Sequence, residues 1–380
     1  MRLAVIALTA LCLAAAAGAQ ERMREALTPS GELLKTLRQK HAPDVRTTVF
    51  TITPRESGDT TILIGDVASA DVKKDVLDAF AAARITVVDS ISVVPAKELG
   101  EDTWGIVTVS VANMRTDAKE SAEMGSQTLM GSVVRVYKKK GMWYLIQSPD
   151  KYLGWADGEQ FQHCTKEDAE SWAKAAKLFV TVPYDFVKET TSTAAPSVCD
   201  VVGGDVMKNL GASGDWMRVA LADGRTGYIA RSSVTDEKNW GTTIRPSAAK
   251  LETTAKQFLG IPYLWGGTSV KGMDCSGFTR TVYLLNGVLL SRDASQQVND
   301  GALVDPGEDW QNLQKGDLLF FGRKASGGRP EHVSHVAMYL ENKKFIHSSG
   351  KIRISSLDPS SPLYDDFHVK NFIRAKRIMR

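Results

Sequence analysis

The sequence has almost no excess of charge of one sign. Its 47 Lys and Arg residues nearly balance 44 Asp and Glu residues, which leaves a formal net charge of +3 over 380 residues. A balance this close provides little attraction to nucleic acid or to an anionic membrane, so we expect no nucleic-acid partner. The hydrophobic share of 43% and the charged share of 24% are typical of a folded globular protein and argue against a disordered chain.

Long apolar runs are also missing, apart from one at the N-terminus. A stretch from Leu3 to Ala17, broken by a single threonine, follows Met1-Arg2 and leads into Gly18-Ala19. It is too short for a comfortable transmembrane helix, and its small residues fit signal-peptidase cleavage before Gln20. We therefore predict a signal peptide at residues 1–19, export to the periplasm or the extracellular space, and no integral membrane span after cleavage. An uncleaved anchor is the alternative.

Cysteine is scarce, and its number is informative. Removal of the signal peptide would take Cys12 with it and leave Cys164, Cys199 and Cys275. With an odd number of cysteines in an exported chain, one thiol stays free unless two chains pair. For Cys164 and Cys199 the sequence leaves two interpretations open, a disulfide or two unpaired thiols.

The apolar pattern changes along the chain and divides it into segments, as a length typical of two or three domains would suggest. Residues 20–100 form an N-terminal segment with a helix at Ala68 to Ala83, where apolar residues recur at helical spacing. Two series of short strands follow, at residues 101–165 and 176–238, separated by a predicted helix at Lys166 to Lys177. Their order is loosely repeated, and the predicted strands are Trp104 to Val111, Ser132 to Tyr137, Gly141 to Gln147, Leu178 to Val182, Asp200 to Val202, Trp216 to Ala220 and Thr226 to Ala230.

The last segment, residues 245–380, combines helices with strands. Leu251, Ala255 and Phe258 mark one helix, and Gly272 to Leu285 is typical of a turn that enters a second, apolar helix. Strands are predicted at Asp317 to Phe321, Ser334 to Leu340 and Lys343 to His347. Helices followed by antiparallel strands indicate an α+β domain.

Cys275 is the strongest candidate for a catalytic group. It follows a glycine turn and precedes an apolar helix, so it would lie at the helix N-terminus. That position, together with an adjacent imidazolium, lowers the pKa of a thiol, and the helix amides can stabilise an oxyanion. A buried structural cysteine is the alternative, but it would not require Asp274 and Ser276 beside it.

Histidines must supply the base. Alternation along the predicted strand would place His335 on one face together with Val333, Ala337 and Tyr339. His347 ends the next run, so the two runs predict a hairpin that brings the imidazoles together in a register that the sequence does not fix. His335 would then be the base and His347 its orienting partner, although a core histidine and a solvated one are the alternatives.

A metal site is the poorer interpretation of these histidines. No second Cys or His lies at ligand spacing near Cys275, so we expect no metal and no cofactor.

Four motifs in this order resemble those of the NlpC-type papain-like cysteine peptidases, which cut bacterial cell-wall peptides: Pro262 to Gly267, Asp274 to Phe278, Gly316 to Phe321 and His335 to Tyr339. The resemblance covers about the last third of the chain. It implies a papain-like domain with Cys275 as nucleophile, His335 as base, His347 as orienting group and Tyr263 beside the oxyanion site.

The upstream strands resemble bacterial SH3-like domains. Asn113 to Arg115, Leu129 to Val136 and Gly154-Trp155 carry the likeness in the first domain, and the Gly227 to Ile229 region resembles a second, more divergent copy. The implied fold class is therefore α+β, with a papain-like C-terminal peptidase domain preceded by two small SH3-like β-barrels.

This domain order resembles the subgroup that hydrolyses the γ-D-glutamyl to L-diamino acid bond of peptidoglycan stem peptides, or muropeptides, with a free N-terminal L-Ala. A carboxylate facing the ammonium would supply that selectivity. The resemblance implies substrate contacts from Asp274, Ser276, Asp293, Glu123, Tyr152 and Trp155, although Asp293 could simply cap a helix.

Two other functions stay open at this point. One is a broader peptidoglycan hydrolase or amidase that acts on intact cell wall, and the other is an inactive wall-binding module. The sequence predicts neither the preferred diamino acid, nor the oligomeric state, nor whether the SH3-like domains bind cell wall.

Overall fold

The computed structural model describes residues 28–379, so the expected signal peptide at residues 1–19 lies outside the described part of the chain. The chain forms two compact units, one of residues up to Gly100 with Tyr137–Lys139, the other of Glu101–Val136 and the residues from Lys140 onward. Among the helices of residues 28–379, none is both long enough and apolar enough to cross a membrane.

From residue 28 onward, the first unit contains two α-helices and a three-stranded sheet. Helices α1 (Pro29–His41) and α2 (Ala70–Ala82) pack with strands β1 (Thr53–Ser57), β2 (Thr60–Val67) and β3 (Thr86–Val93). Strands β1 and β2 pair antiparallel, whereas β2 and β3 pair parallel with α2 between them. The predicted helix at residues 68–83 is thus confirmed as α2, and the Ser69 hydroxyl caps its N-terminus. Helix α1 was not predicted, because its mostly polar surface hides the apolar stripe of Leu34 and Leu37.

Two seven-stranded sheets follow, and both have the same strand order. The first contains β4 (Trp104–Val107), β5 (Val111–Arg115), β6 (Met124–Leu129), β7 (Val133–Lys140), β8 (Trp143–Gln147), β9 (Leu153–Asp157) and β10 (Phe161–Cys164). The second contains β11 (Lys177–Val180), β12 (Tyr184–Lys188), β13 (Ser197–Val202), β14 (Val206–Ser213), β15 (Trp216–Ala220), β16 (Thr226–Ala230) and β17 (Val234–Asp236). Their orders are β6-β5-β9-β8-β7-β4-β10 and β13-β12-β16-β15-β14-β11-β17, which correspond strand for strand. The loose repeat in the sequence is therefore a repeat of topology.

Most predicted strands are shifted by a few residues at one or both ends, and two elements differ from the sequence prediction for a clear physical reason. The run from Trp104 to Val111 is not one strand, because its middle leaves the ladder: the Thr108 amide donates to Gln160, and the Ser110 hydroxyl donates to Asp200 of the second barrel. Between the barrels, helix α3 (Lys166–Lys174) starts in the predicted place with a capping box, but it ends earlier than predicted.

The cysteines of the two barrels are not joined. Cys164 is buried in β10 and Cys199 is half-buried in β13, and both are free thiols. Of the two interpretations that the sequence left open, the structure has the unpaired one.

The last domain packs helices against a six-stranded antiparallel sheet. Its helices are α4 (Ala248–Gln257), α5 (Cys275–Leu285), α6 (Ala294–Gln297) and α7 (Asp366–Lys370). A small hairpin of β18 (Thr268–Ser269) and β19 (Gly272–Met273) precedes α5, and the main sheet has the order β20-β25-β21-β22-β23-β24. Its strands are β20 (Ala302–Val304), β21 (Leu318–Arg323), β22 (His332–Tyr339), β23 (Lys344–Ser349), β24 (Lys351–Ser356) and β25 (Phe372–Arg377).

Helix α5 is the central helix of this domain. It packs against β22 and β23, and almost every residue in it is buried. Phe278, Val282 and Tyr283 belong to the same apolar cluster as Val336 and Met338 of the sheet. The predicted arrangement of an apolar helix over antiparallel strands, and with it the α+β class, is confirmed.

Candidate active site

Helix α5 begins at Cys275 because the preceding residue caps it. The Asp274 carboxylate accepts hydrogen bonds from the amides of Gly277, at 2.6 Å, and Gly266, at 3.0 Å. Only glycine fits at Gly277, since a Cβ there would lie 2.0 Å from the carbonyl oxygen of Gly267. The cap and the close approach together fix Cys275 at the first position of the helix.

A buried ion pair holds this cap in place. The Arg292 guanidinium contacts both oxygens of Asp274, at 2.7 and 3.2 Å, and its side chain is only 1% exposed. It also donates to the hydroxyls of Ser276 and, from the first barrel, Ser126, each at 3.0 Å. Burial alone would lower the pKa of Arg292, but the charge and hydrogen bonds of Asp274 outweigh this and raise it.

Arg292 was not predicted as a site residue. In the sequence it is one basic residue beside Asp293, and nothing in that pattern indicates a partner 18 positions away. Only the fold brings Asp274 and Arg292 together.

The thiol of Cys275 lies against strand β22. Its sulfur accepts a hydrogen bond from the amide of Val336, the residue after His335. Burial first, and the Asp274 charge second, raise the pKa of Cys275 to about 12, although the Val336 amide and Arg292 act in the opposite direction. The expected lowering of this pKa is therefore wrong for the free site, because burial outweighs the helix N-terminus.

The two predicted histidines meet. His335 Nε2 and His347 Nδ1 are 2.9 Å apart, and the rings stand nearly perpendicular. They lie on β22 and β23, which form the predicted antiparallel hairpin with Met338 opposite Ile346. Burial lowers the pKa of His335 well below its ordinary value and that of His347 to about 3, and neighbouring histidines add to both effects. Both imidazoles are therefore neutral near pH 7.

One detail of strand β22 departs from simple alternation. The register shifts between Phe321 and Gly322 of the neighbouring strand, so Phe321 lies opposite His335 and Gly322 opposite Val333. Val333 consequently packs with Val336 in the core under α5, whereas Ala337 joins a separate apolar cluster with Phe321. The prediction that Val333 shares a face with Ala337 is wrong because a β-bulge reverses the pattern just before His335.

Further polar groups lie behind His347, which is completely buried. Its Nε2 is 3.2 Å from the Ser355 hydroxyl and 3.8 Å from Oδ2 of Asp365. Asp365 also lies 2.8 Å from Nδ1 of His368, whose ring centroid is 4.5 Å from that of His335, with the two rings tilted by 41°. None of these three groups was predicted, because they come from β24 and from the start of α7, outside the four recognisable motifs.

The three imidazoles are poorly arranged for a metal. Among the described residues, His335, His347 and His368 form the cluster in which a ligand nitrogen from each lies within 4.8 Å of the others. Tetrahedral zinc with Zn–N distances of about 2.0 Å needs its nitrogens about 3.4 Å apart. The closest pair already shares a hydrogen bond, so this geometry suits proton transfer better than metal ligation.

The predicted substrate contacts fall into two groups. Asp274 and Ser276 are occupied by the helix cap and by Arg292. Asp293 caps α6 but is partly exposed, and its Oδ2 lies 3.3 Å from the hydroxyl of Tyr152 of the first barrel. The structure thus places one carboxylate and one phenol from two different domains side by side.

For the other two predicted substrate contacts, Glu123 and Trp155, the structure gives the position but no contact with the groups described above. Glu123 is exposed, and the next residue, Met124, packs against Gly266 of the loop before α5. Trp155 is half-buried in β9, opposite Leu145, and its predicted role in binding stays a prediction.

Tyr263 lies on the loop that approaches the thiol. Its amide donates to Gly350, and its backbone forms a bridge to Met273. Burial raises the pKa of its hydroxyl, and the neighbouring groups of Cys275 and Asp274 raise it further. Tyr263 is therefore a neutral hydrogen-bond donor close to the sulfur, a position that suits its predicted place beside an oxyanion.

Comparisons with known proteins match these features. The family model described as NlpC/P60 matches residues 260–371, and the bacterial SH3 domain model matches residues 110–160. A gamma-D-glutamyl-L-lysine dipeptidyl-peptidase of Bacillus cereus is 30% identical over 82% of this chain and 94% of the relative. Dipeptidyl-peptidase 6 of Lysinibacillus sphaericus is 28% identical over 68% of this chain and 93% of the relative. The crystal structure of an NlpC/P60 family protein from Bacillus cereus is similar over 73% of this chain and all of that one, with 26% identity and a TM-score of 0.62.

Proposed function

The chain belongs to the NlpC/P60 family of cysteine-type peptidases, and from this membership we propose that it hydrolyses the γ-D-glutamyl to L-diamino acid bond of peptidoglycan stem peptides that carry a free N-terminal L-Ala. The name of the Bacillus cereus relative supports the bond type, and the match extends over 94% of that relative's length. We further propose export to the periplasm or the extracellular space, where such peptides are released.

The observation that carries the substrate proposal is the contact between Asp293 and Tyr152. Their oxygens lie 3.3 Å apart, and Asp293 is close in sequence to Arg292, whose guanidinium also contacts the Asp274 cap beside the nucleophile. A carboxylate in this position can bind the ammonium of a short substrate and so define how many residues fit before the scissile bond. We assign Glu123 to the same recognition site and Asp274 to the helix cap.

The proposed reaction uses a neutral Cys275 and His335 pair in the free site. Sγ attacks the γ-carbonyl carbon while its proton passes to His335, and the oxyanion that forms faces the first amides of α5 and the Tyr263 hydroxyl. The C–N bond then breaks, and the amine of the diamino acid leaves with the proton from His335. Water, with His335 again as base, hydrolyses the thioester and releases L-Ala-γ-D-Glu and the free thiol.

A product assay on a defined tripeptide tests the proposal. We expect mass spectrometry to detect L-Ala-γ-D-Glu and the free diamino acid from L-Ala-γ-D-Glu-L-Lys or its diaminopimelate analogue, and at least 100-fold slower cleavage of the N-acetylated peptide, about the discrimination expected when a charge-assisted contact is lost. Cys275→Ala should abolish release, while Cys199→Ala, which changes a thiol far along the chain in β13, should not.

Any one of four results would overturn it. Equal cleavage of free and N-acetylated peptides, or release of products from intact sacculi, would favour a broader peptidoglycan hydrolase or amidase. Full turnover by Cys275→Ala would show that Cys275 is not the nucleophile. Complete inactivity of the native protein toward every wall substrate would favour a wall-binding module.

A further inference from the structure

A row of polar groups begins with the hydrogen-bonded pair His335 and His347 and continues through Ser355 to Asp365. Behind Nε2 of His347 lie the Ser355 hydroxyl at 3.2 Å and the buried Oδ2 of Asp365 at 3.8 Å. Burial tends to raise the pKa of Asp365, but the hydrogen bonds and charge of His368, with a smaller effect from the nearby Ser355 hydroxyl, outweigh this and lower it. Asp365 is therefore an ionised carboxylate at neutral pH, and its buried Oδ2 lies behind the two histidines.

An ionised carboxylate at the end of this row determines the direction of its protons. It can only accept, and its Oδ2 has no hydrogen-bond donor among the described residues, so we expect the Ser355 hydroxyl to turn its hydrogen toward Asp365 and its oxygen toward His347. Nε2 of His347 then carries a hydrogen, and Nδ1 of the same ring carries the lone pair. That lone pair accepts from Nε2 of His335, 2.9 Å away, which leaves Nδ1 of His335 as its basic nitrogen.

The opposite proton arrangement would prevent catalysis by a neutral imidazole. If Nδ1 of His347 carried the hydrogen, Nε2 of His335 would accept it, and Nδ1 of His335 would already be protonated. Such a ring offers Cys275 a donor and not a base.

One group favours that unproductive arrangement. Arg353 Nε donates a hydrogen bond of 3.4 Å to Nε2 of His347, which requires a lone pair on that nitrogen, and Nη2 of Arg353 also lies 3.7 Å from Oδ2 of Asp365. Its side chain is 47% exposed, however, whereas that of Asp365 is 10% exposed. Solvent screens the guanidinium more than the carboxylate, so Asp365 dominates.

We propose that Ser355 and Asp365 are positioning residues that fix the tautomers of His347 and His335, so that Nδ1 of His335 is the nitrogen that receives the thiol proton. This inference rests on the proposed peptidase function. His368 anchors Asp365 from the other side, through its amide at 3.2 Å and its Nδ1 at 2.8 Å.

Asp365→Asn is the direct test, because it keeps the shape of the side chain and removes its charge. We expect kcat on the tripeptide to fall about 10- to 100-fold with KM unchanged, the usual loss when a group that orients an imidazole is removed. Asp365 raises the pKa of His335, against burial and the charges of His347, His368 and Arg353. Its loss should therefore move the acid limb of the kcat profile to lower pH, a shift that a purely structural defect would not produce.

Variants of Ser355 provide a second test of the proposal. Ser355→Ala should lose activity to a similar degree, and Ser355→Thr, which keeps the hydroxyl, should restore most of it. Because the two residues act in one row, the double variant Ser355→Ala with Asp365→Asn should be no slower than the worse single variant.

The neighbouring Asp366→Asn is the matched control, since Asp366 is exposed and pairs only with Lys370 on the surface of α7 among the described contacts. It should leave kcat and the pH profile unchanged. Arg353→Gln tests the rival interpretation: a large loss there together with a normal Asp365→Asn enzyme would show that Arg353, and not Asp365, sets the tautomers, and would overturn the proposal.

Nitrogen-15 NMR of labelled histidines separates this inference from the proposed function. In the native protein, His335 and His347 should both show the Nε2–H tautomer, and Asp365→Asn should populate the other form. This measurement needs no substrate. If the tautomers are as expected but the tripeptide is not cleaved, only the proposed substrate is rejected. Unchanged tautomers in Asp365→Asn would reject the positioning role.

Discussion

The charge of Arg292 is matched mainly by a single carboxylate, that of Asp274, the residue next to Cys275. Asp274 is 6% exposed and Arg292 is 2% exposed, so water screens neither charge effectively. Removing one partner leaves the other as an uncompensated buried charge, at a cost of about 3–5 kcal/mol. The pair therefore stabilises the helix cap and also sets the electrostatic potential at the sulfur of Cys275.

Changing either partner should shift the reactivity of Cys275, in opposite directions. Asp274 raises the pKa of the thiol and Arg292 lowers it. Arg292→Gln should thus move the rise of the iodoacetamide alkylation rate to higher pH, and Asp274→Asn should move it to lower pH. In the native protein the rate should increase about tenfold per pH unit from pH 6 to 10 without a plateau, since only the thiolate reacts.

Arg374→Gln is the control for this experiment. Arg374 is 41% exposed and pairs with Glu331 on the surface, so its loss should shift neither the alkylation profile nor the melting temperature appreciably. A plateau below pH 7 in the native protein, or shifts of the same sign in both variants, would contradict the electrostatic argument.

At the scale of single elements, the start of α5 depends on a close backbone contact. Gly277 lies in the first turn of the helix, directly below the carbonyl of Gly267, and the loop between Tyr263 and Gly267 closes over the cap. A side chain at this position must push that loop away from the thiol.

Gly277→Ala should therefore damage both stability and catalysis. Alanine favours helix by about 1 kcal/mol in an open position, but here its Cβ would meet Gly267 O at 2.0 Å. We expect a net destabilisation of about 1–3 kcal/mol, the range for overpacking, with a fall in kcat because Tyr263 moves with the loop. Thermal unfolding and tripeptide kinetics measure the two effects; an alanine variant more stable than the native protein would show that the loop yields freely.

The elements predicted from sequence are those with strong local signals. Helix α5 and the hairpin of β22 and β23 carry an apolar stripe and a clear turn, so Cys275, His335 and His347 could be placed correctly. Arg292 and Asp365 carry no local signal, because their importance comes from partners brought near by the fold. The raised pKa of Cys275 was missed for a related reason: helix position is visible in a sequence, whereas the depth of burial is not.

At the scale of the whole second unit, the first barrel is joined to the peptidase domain by an ion pair that is largely shielded from water. Asp150 of the barrel lies 2.8 Å from Nη2 of Arg280 in α5, and their side chains are 6% and 10% exposed. Burial lowers the pKa of Arg280, and the Asp150 charge partly restores it. The same carboxylate accepts the amide of Tyr152, whose hydroxyl contacts Asp293. The turn of residues 148–152 thus couples the domain junction to the proposed amine-binding site.

Asp150→Asn should weaken the junction and substrate recognition together. The uncompensated Arg280 should lower the free energy of unfolding by about 3 kcal/mol, the lower end for breaking a buried pair. Displacement of Tyr152 should raise KM for the free-amine tripeptide more than it lowers kcat, because none of the described side-chain hydrogen bonds of this turn involves Cys275, His335 or His347. The N-acetylated peptide should be affected little, since it makes no use of the amine site.

Asp117→Asn isolates this effect from a general loss of charge in the barrel. Asp117 lies in a loop of the same barrel, is 47% exposed and pairs with exposed lysines, so its loss should change neither unfolding nor KM. If Asp150→Asn lowered stability but left KM for the free-amine peptide unchanged, the barrel would act as a structural support for α5, and recognition of the amine would belong to the peptidase domain alone.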